Sequence, residues 1–148
     1  SSTGWVEEAF MATDLSKAAV GDALPEIVFG PYTRKLLALY AGASGDHNDI
    51  HIDTDFARAA GLDDVFAQGM LSMAPYARVV TDWAGLDRLE SVEARFMAIT
   101  PLGVTGRFSG KVVERFEEDG VPKLRVALAA HVDGGVQTLG GEAVVRAD

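Results

Sequence analysis

The chain has 148 residues, no cysteine and a formal net charge of −9, from 13 basic and 22 acidic residues. This charge disfavours nucleic acid as a partner, because phosphate neutralisation requires clustered Lys and Arg and the sequence contains no such cluster. The absence of cysteine excludes disulfides, a thiolate nucleophile and sulfur-ligated zinc or iron–sulfur centres. No apolar run reaches the ~18 residues of a membrane span and no signal-like segment opens the chain, so we expect a cytoplasmic protein with no membrane partner.

The length and composition indicate one globular domain. Hydrophobic residues make up 48% of the chain and charged residues 24%, as in ordinary globular proteins. Residues 1–10 precede a Met11-Ala12 pair, and we expect them to be an upstream extension or a remnant of expression. Residues 11–148 are then long enough to bury a core without metals or disulfides.

The first part of the chain predicts a strand and a short helix. Residues 24–29 follow a turn and are typical of a strand that Pro31 ends. From Thr33 to Ala41 the apolar residues recur at helical spacing. Thr33 is a suitable N-cap, and Gly42 is expected just past the end of the helix.

Two further helices are predicted downstream. The first is short, starts after Asp53 or Thr54 and ends at Gly61. The second covers residues 70–84, which are apolar around nearly the whole helical circumference, as expected of a helix buried on most sides. Pro75 would cost about 3 kcal/mol inside an established helix, so we expect this helix to begin near Ser72 or to kink at Pro75.

The remainder of the chain alternates between apolar and polar residues with a period of two, which indicates half-buried strands. The segments are 92–98, 104–112, 124–132 and 136–146. Asp119-Gly120 and the sequence from Asp133 to Gly135 supply the turns of an antiparallel meander, and Gly140-Gly141 is expected to mark a bulge. One buried helix followed by such strands predicts an α+β fold in which the sheet wraps around a central helix.

A turn-rich segment, Ser44–His51, contains the best candidates for catalysis. Asp46 and His51 are five residues apart, so their side chains would lie about 140° apart on a helix and on opposite faces of a strand. The residues between them favour turns and therefore indicate a bent loop. In such a loop Asp46 and His51 can converge on one small molecule, for which water is the natural candidate.

The run SGDHNDIHIDTDFA, which starts at Ser44, resembles the signature of the MaoC-like family of (R)-specific enoyl-CoA hydratases and 3-hydroxyacyl-thioester dehydratases. Residues 67–71, AQGML, are similar to the second block of that family. Arg95-Phe96 followed by Pro101 is similar to the third block. One departure is visible, since Asp49 stands where the family usually has proline.

The resemblance implies a hot-dog fold and reversible hydration of trans-2-enoyl-CoA to (R)-3-hydroxyacyl-CoA, with no metal or redox cofactor. It implies that Asp46 and His51 hold the reacting water, while Asn48 fixes the loop or contacts the water. The identity of the base stays open, because coupled groups share their titration.

Charge on the thioester oxygen requires a hydrogen-bond donor. Gly69 lies just before the predicted central helix, where free N–H groups and the helix dipole favour negative charge, so we assign it this role with Met70 as a second candidate. The resemblance also implies an acyl chain along the central helix. Met73 and Tyr76, and less directly Val80, are then candidates for substrate binding.

Other functions are also compatible with these residues. A dehydratase acting on carrier-protein thioesters in fatty-acid or polyketide synthesis would use the same residues. A non-catalytic acyl-binding subunit would be expected to have lost Asp46 or His51, and both are present. A homodimer is the simpler expectation for a small hot-dog subunit, and a heterodimer is the alternative.

The sequence predicts neither a metal site nor a particular phosphate-binding residue. His47 lies four residues before His51, but the motif lacks a third matching ligand, so no metal site is predicted. An anionic coenzyme A needs local positive charge, and the sequence does not choose among the candidate cations. The candidates are Arg34, Lys35, Arg95 and Arg107.

Overall fold

The structure is a computed structural model that describes residues 13–148. The helices are Arg34–Ser44 (α1), Thr54–Ala59 (α2) and Gly69–Ala84 (α3). The strands are Ile27–Phe29 (β1), Leu89–Val92 (β2), Arg95–Phe96 (β3), Gly106–Glu118 (β4), Val121–Val132 (β5) and Gln137–Arg146 (β6). The extension predicted over residues 1–10, and the first two residues of the predicted domain, lie outside the described residues.

The strands form one antiparallel sheet in the order β1-β4-β5-β6-β2, with β3 also pairing with β6. The hairpin between β4 and β5 turns at Asp119 and Gly120, whose φ values of 52° and 78° are the left-handed conformation of a tight hairpin turn. One face of the sheet packs on α3. A curved antiparallel sheet around a central helix is the hot-dog fold, so the predicted α+β architecture is confirmed.

Helix α3 contributes most of the apolar surface that the sheet buries. Tyr76, Val79 and Val80 are at most 2% exposed and pack against the inward side chains of β4, β5 and β6. The helix begins at Gly69 and continues through Pro75, so the start near Ser72 is wrong and the alternative, a kink at Pro75, stays a prediction. Pro75 is itself buried, and burial of its ring with the rest of this face offsets the missing N–H.

Helix α1 is longer than predicted. Thr33 caps it as expected, since its Oγ1 accepts the Leu36 N–H at 3.1 Å. The helix passes through Gly42 and ends at Ser44, and the C-cap Gly45 adopts a φ of 79° and donates its N–H to the Ala41 carbonyl. The left-handed cap therefore falls on the second available glycine.

The strand predicted over residues 92–98 is divided into β2 and β3 by Glu93 and Ala94. The bulge predicted at Gly140-Gly141 is wrong, because the pairing of β5 and β6 runs without interruption from Leu128↔Gly141 to Ala129↔Gly140. A Cβ on Gly141 would collide with the Glu93 carbonyl and lie 2.9 Å from the Tyr76 hydroxyl. These glycines accordingly admit a close backbone approach instead of a bulge.

Residues 30–68, which we call the overhang, cover one end of α3. They enclose a second apolar cluster, which comprises Tyr32, Leu37, Ala57, Val65, Ala67 and, from α3, Leu71. Backbone hydrogen bonds join the overhang to the segment before β4: the Tyr32 N–H donates to Val104 at 3.0 Å and the Ala67 N–H to Thr100 at 2.9 Å. Over residues 13–148, no helix is long and apolar enough to cross a membrane.

Candidate active site

The Ser44–His51 loop is bent by a series of side chain to backbone hydrogen bonds. The Ser44 hydroxyl accepts the Asp46 N–H at 3.1 Å, and Asp46 Oδ1 accepts the Asn48 N–H at 3.4 Å. Asn48 Oδ1 then accepts the Ile50 N–H at 3.1 Å and caps a single 3₁₀ turn over Asp49–His51. Short polar side chains in these positions stabilise turns in place of regular structure.

This bend brings Asp46 and His51 together. Asp46 Oδ2 lies 3.8 Å from His51 Nε2, which is longer than a direct hydrogen bond and leaves room for a shared water at the side of the pair. The two side chains differ in environment, since that of His51 is 10% exposed and that of Asp46 is 45% exposed.

The orientation of the His51 ring is set by Phe66. His51 Nδ1 lies 2.7 Å from the Phe66 carbonyl oxygen, and the two rings meet edge to face at 4.9 Å. Because a carbonyl only accepts hydrogen bonds, Nδ1 carries a hydrogen. In the neutral ring Nε2 therefore presents its lone pair on the Asp46 side.

A cavity of about 580 Å³ opens beside His51. It lies between the overhang, the first turn of α3, the segment after β3 and the start of β6, and its volume is typical of small-molecule sites. The walls are mainly apolar, with a few hydroxyl groups. They comprise Asn48, Ile50, His51, Phe66, Ala67, Gly69, Ser72, Phe96, Met97, Ala98, Ile99, Thr100, Thr138 and Leu139.

Gly69 is the first residue of α3 and lines this cavity. Its N–H has no acceptor within the helix, and the helix dipole adds partial positive charge at this point. A Cβ at Gly69 would lie 2.8 Å from the Phe96 ring. Glycine thus allows the Phe96 ring to close the cavity directly over the backbone.

The structure separates the residues predicted to bind substrate into two groups. Asn48 lines the cavity together with His51 and Gly69, and Asp46 lies beside His51 without lining the cavity itself. Met70 is 60% exposed and outside the cavity wall.

Met73 and Tyr76 belong to the main core instead of the cavity wall. The Tyr76 hydroxyl donates to the Glu93 carbonyl at 2.8 Å. Burial, and to a smaller extent the charge of Glu93, raises the pKa of Tyr76 to about 12, so the phenol remains a neutral donor at physiological pH. Contact of Met70, Met73 or Tyr76 with substrate stays a prediction.

Several cavity residues were not predicted from the sequence. Phe66 and Ser72 flank the AQGML block, so their closeness to Gly69 in sequence could have predicted that they line the cavity. Thr100 and Thr138 are buried, at 6% and 3% exposure, and come from distant parts of the chain. Only long-range backbone hydrogen bonds reveal them, since Met97 donates its N–H to the Thr138 carbonyl at 2.8 Å and Ala67 donates to the Thr100 carbonyl at 2.9 Å.

The cations proposed for coenzyme A differ in their pairing. Arg34 binds Asp64 and Thr54 within the overhang, and Arg107 pairs with Glu26 at 3.0 Å. No ion pair with Lys35 or Arg95 is found in the described part of the chain. Across those same residues, no group of three or more His, Cys, Asp or Glu side chains is arranged to hold a metal ion.

The family model for the MaoC like domain matches residues 18–132, which include the Ser44–His51 loop, α3, strands β1 to β5 and every residue that lines the cavity except Thr138 and Leu139. The chain belongs to the MaoC-like family. The family comprises hydratases and dehydratases, which are lyases. The cavity and the Asp46–His51 pair therefore belong to a protein of a lyase family. The hot-dog architecture predicted from the resemblance agrees with this assignment.

Curated relatives support the same family. The chain is 36% identical over 95 residues to the 3-oxo-4,17-pregnadiene-20-carboxyl-CoA hydratase beta subunit of Mycobacterium tuberculosis, covering 63% of this chain and 72% of that protein. It is 32% identical over 84 residues, or 57% of this chain, to the fatty acid synthase subunit beta of Saccharomyces cerevisiae. That match spans only 4% of the yeast subunit.

Solved structures share the MaoC-like fold. The R-hydratase PhaJ1 of Pseudomonas aeruginosa superimposes with a TM-score of 0.75 at 26% identity, covering 89% of this chain and 83% of that one. The ChsH1-ChsH2 complex of Mycobacterium tuberculosis gives 0.73 at 27% identity, covering 86% and 97%.

Proposed function

We propose that the protein catalyses reversible hydration of a trans-2-enoyl-CoA to the (R)-3-hydroxyacyl-CoA. The observation that carries this proposal is the approach of Asp46 to His51, which lines an apolar cavity, with 3.8 Å between Oδ2 and Nε2. The base, the acid and a site for the acyl group are then adjacent. Both the Mycobacterium tuberculosis relative and PhaJ1 are named as hydratases, which supports the same reaction here.

In the proposed reaction, Asp46 and His51 hold one water between them. One of the two groups removes a proton from the water as its oxygen bonds to the β-carbon of the substrate. The electron pair of the double bond moves toward the thioester, and a proton is returned to the α-carbon on the same face. The hydroxyl at the β-carbon and the hydrogen at the α-carbon are therefore together equivalent to one water. No atom changes its oxidation state overall through an external oxidant or reductant, so the reaction needs no redox or metal cofactor to balance.

The orientation of His51 serves this reaction directly. Donation from Nδ1 to the Phe66 carbonyl holds the ring in the tautomer in which Nε2 accepts a hydrogen bond from water. Asn48 positions the loop through its Oδ1, and its amide NH₂ remains available toward the cavity. Preorganisation of this kind lowers the entropic cost of bringing water to the β-carbon.

Negative charge that develops on the thioester oxygen is stabilised in this proposal by the Gly69 N–H. Backbone donors at a helix start are fixed in place before the reaction, so they need no reorganisation as the charge develops. Met70 N–H in the same turn is a second donor of this type.

A dehydratase acting on carrier-protein thioesters is the second candidate. It is favoured by the similarity to the fatty acid synthase beta subunit, and it uses the same groups in the reverse direction. The two functions are distinguished by measuring kcat/KM for the coenzyme A thioester and the carrier-protein thioester of the same acyl group. A preference of at least about 10-fold for the carrier form, about 1.4 kcal/mol in transition-state binding, would assign the protein to carrier-bound substrates.

We further propose that the protein works as a homodimer. Phe96, Met97 and Ile99 are 54%, 53% and 49% exposed, yet all three border the cavity, so a second copy would bury apolar surface and enclose the acyl group. Light scattering on the purified protein measures the mass directly. A monomer that gains mass only with another hot-dog subunit would indicate a heterodimer instead, as the ChsH1-ChsH2 complex illustrates.

The test of function is the loss of enoyl-thioester absorbance with crotonyl-CoA and a longer trans-2-enoyl-CoA. Asp46→Asn is expected to lower kcat by at least about 10²-fold. Asp55→Asn is the matched control, because it removes the same charge from an exposed position at the start of α2. Folded protein that turns over neither a coenzyme A nor a carrier-protein thioester would contradict the proposal.

A further inference from the structure

A pair of buried hydroxyl groups joins the overhang to the central helix. Tyr32 Oη and Ser72 Oγ lie 2.7 Å apart, and the two residues are 0% and 3% exposed. The residues are 40 positions apart in sequence, so this contact exists only in the folded protein. It is also the contact that connects the cavity wall to the interior of the overhang cluster.

The pair contains one more hydrogen than its mutual bond uses. Each hydroxyl has one hydrogen and can also accept, so one group donates to the other and the second hydrogen needs an acceptor elsewhere. If Ser72 donated, the Tyr32 hydrogen would be left inside the protein, where the described residues offer it no other acceptor. If Tyr32 donates, the spare hydrogen belongs to Ser72, which lines the cavity.

The second arrangement is favoured because an unpaired buried donor destabilises the fold, whereas a donor facing the cavity can bind water or a ligand. Burial also raises the pKa of Tyr32, so the phenol keeps its hydrogen and remains available to donate.

Ser72 is one helical turn after Gly69, and residues three apart lie on the same face of a helix. Both residues line the same cavity. The Ser72 hydroxyl and the Gly69 N–H therefore present two donors to one region of that cavity. His51 lines the same space and completes the set of groups around a bound thioester.

We infer that Ser72 Oγ donates a hydrogen bond to the thioester oxygen of the substrate, beside the Gly69 N–H, and that Tyr32 is a positioning residue that holds the Ser72 hydroxyl in its donating orientation. This role rests on the proposed function, since it assigns a second donor to the same charge. The ligand group that the polar part of the cavity wall binds is accordingly the carbonyl of an acyl thioester.

Two variants and a matched control test the inference. Ser72→Ala removes the donor, and Tyr32→Phe removes only the group that orients it. Thr81→Val is the control, because it deletes another hydroxyl from α3 at a half-buried position outside the cavity wall. Ser72→Thr retains a hydroxyl and is expected to recover most of what Ser72→Ala loses.

The first readout is infrared difference spectroscopy of hexanoyl-CoA labelled with ¹³C at the thioester carbonyl. Hydrogen bonding lowers the carbonyl stretching frequency, so the frequency of the bound ligand is expected to rise in Ser72→Ala and to rise less in Tyr32→Phe. Thr81→Val should leave the frequency unchanged. A role confined to folding would not move this signal in protein whose thermal midpoint is unchanged.

The second readout is hydration of trans-2-hexenoyl-CoA. We expect kcat/KM to fall about 10- to 100-fold in Ser72→Ala, mainly through kcat, because removing a single oxyanion donor has effects of this order or larger. Parent-like carbonyl frequencies in both Ser72→Ala and Tyr32→Phe would overturn the inference.

The two proposals fail in different ways. In one case the parent protein hydrates no enoyl thioester, but the carbonyl frequency of bound hexanoyl-CoA is higher in Ser72→Ala than in the parent. That result would support the thioester contact and contradict the hydratase function. An active parent whose Ser72→Ala variant keeps both rate and frequency would retain the function and overturn the inference. A parent that does not bind hexanoyl-CoA overturns the Ser72 contact as well. If Ser72→Ala does not fold, Tyr32→Phe and Ser72→Thr still carry the comparison.

Discussion

The sheet core and the overhang are built by different means. The core between α3 and strands β4 to β6 is almost entirely apolar, and Phe108, Val112 and Val126 are at most 1% exposed. The overhang has a smaller apolar cluster and is held by specific polar contacts. One example is Arg34, which donates to Thr54 at 2.9 Å and to Asp64 at 3.0 Å.

The difference indicates that the core mainly provides stability and the overhang mainly positions the polar groups of the site. Burial of apolar surface is non-directional and stabilises the scaffold without specifying the position of any polar group. Hydrogen bonds are directional, so they determine where Asp46 and His51 lie relative to each other. Changes to the core are therefore expected to alter stability, and changes to the overhang and the first turn of α3 to alter activity.

The largest effect is expected from Phe108→Ala in the core. Phe108 is 1% exposed, and removing its ring should lower the free energy of unfolding by about 3–5 kcal/mol. Urea denaturation followed by circular dichroism measures this loss. Phe116→Ala, at a half-buried position in the same strand, is the control and should cost much less. Equal losses in the two variants would refute the special role of the core.

Gly69→Ala should separate activity from stability. The added methyl group meets the Phe96 ring, which is 54% exposed and free to move, so the free energy of unfolding should change by less than about 1 kcal/mol. Activity should fall about 10-fold or more, because the methyl and the displaced ring obstruct the thioester oxygen. Gly42→Ala, an open position in α1, should leave activity intact. Full activity in Gly69→Ala would remove Gly69 from the proposed site.

A smaller, pH-dependent effect is expected from Asp64→Asn in the overhang. The Arg34 guanidinium, then the Val65 N–H and the Thr54 hydroxyl, hold the pKa of Asp64 well below its usual range. Since the folded pKa is below the unfolded value, this stabilisation is fully present above about pH 4 and is lost as the pH falls toward the folded value. The difference in unfolding free energy between parent and variant should shrink from pH 5 to pH 2. Arg34→Gln should weaken that pH dependence, and a pH-independent difference would contradict the assignment.

The smallest effect is expected from Asp49→Pro, which introduces the residue that the family usually has. Asp49 opens the 3₁₀ turn, no acceptor for its N–H is present among residues 13–148, and Asn48 before it is extended with φ −61° and ψ 125°. Proline is compatible with this geometry, so the variant should gain about 0.4–1 kcal/mol. Asp49→Ala, which removes the charge without the ring, serves as the control. Destabilisation in Asp49→Pro alone would show that the loop uses another conformation.

Local sequence signals predicted the structure correctly where it depends only on the residues of one turn or one helix. Asp119-Gly120 predicted a tight hairpin, and the apolar run in residues 70–84 predicted a buried helix. The same approach failed at the start of α3, which is Gly69 and not Ser72, and at Gly140-Gly141, because packing against distant residues overrode the local preference. The Glu93 carbonyl next to Gly141 could not be inferred from either segment alone.

The sequence by itself determined the family, the hot-dog fold and the candidate pair Asp46 and His51, because these depend on a local motif and on the period of the hydrophobic pattern. Only the tertiary structure decided which groups surround them. The Phe66 carbonyl behind His51, the Phe96 ring over Gly69 and the Tyr32–Ser72 hydroxyl pair all join segments far apart in the chain. Such contacts follow from how the overhang packs on α3, and that packing has no local sequence signal.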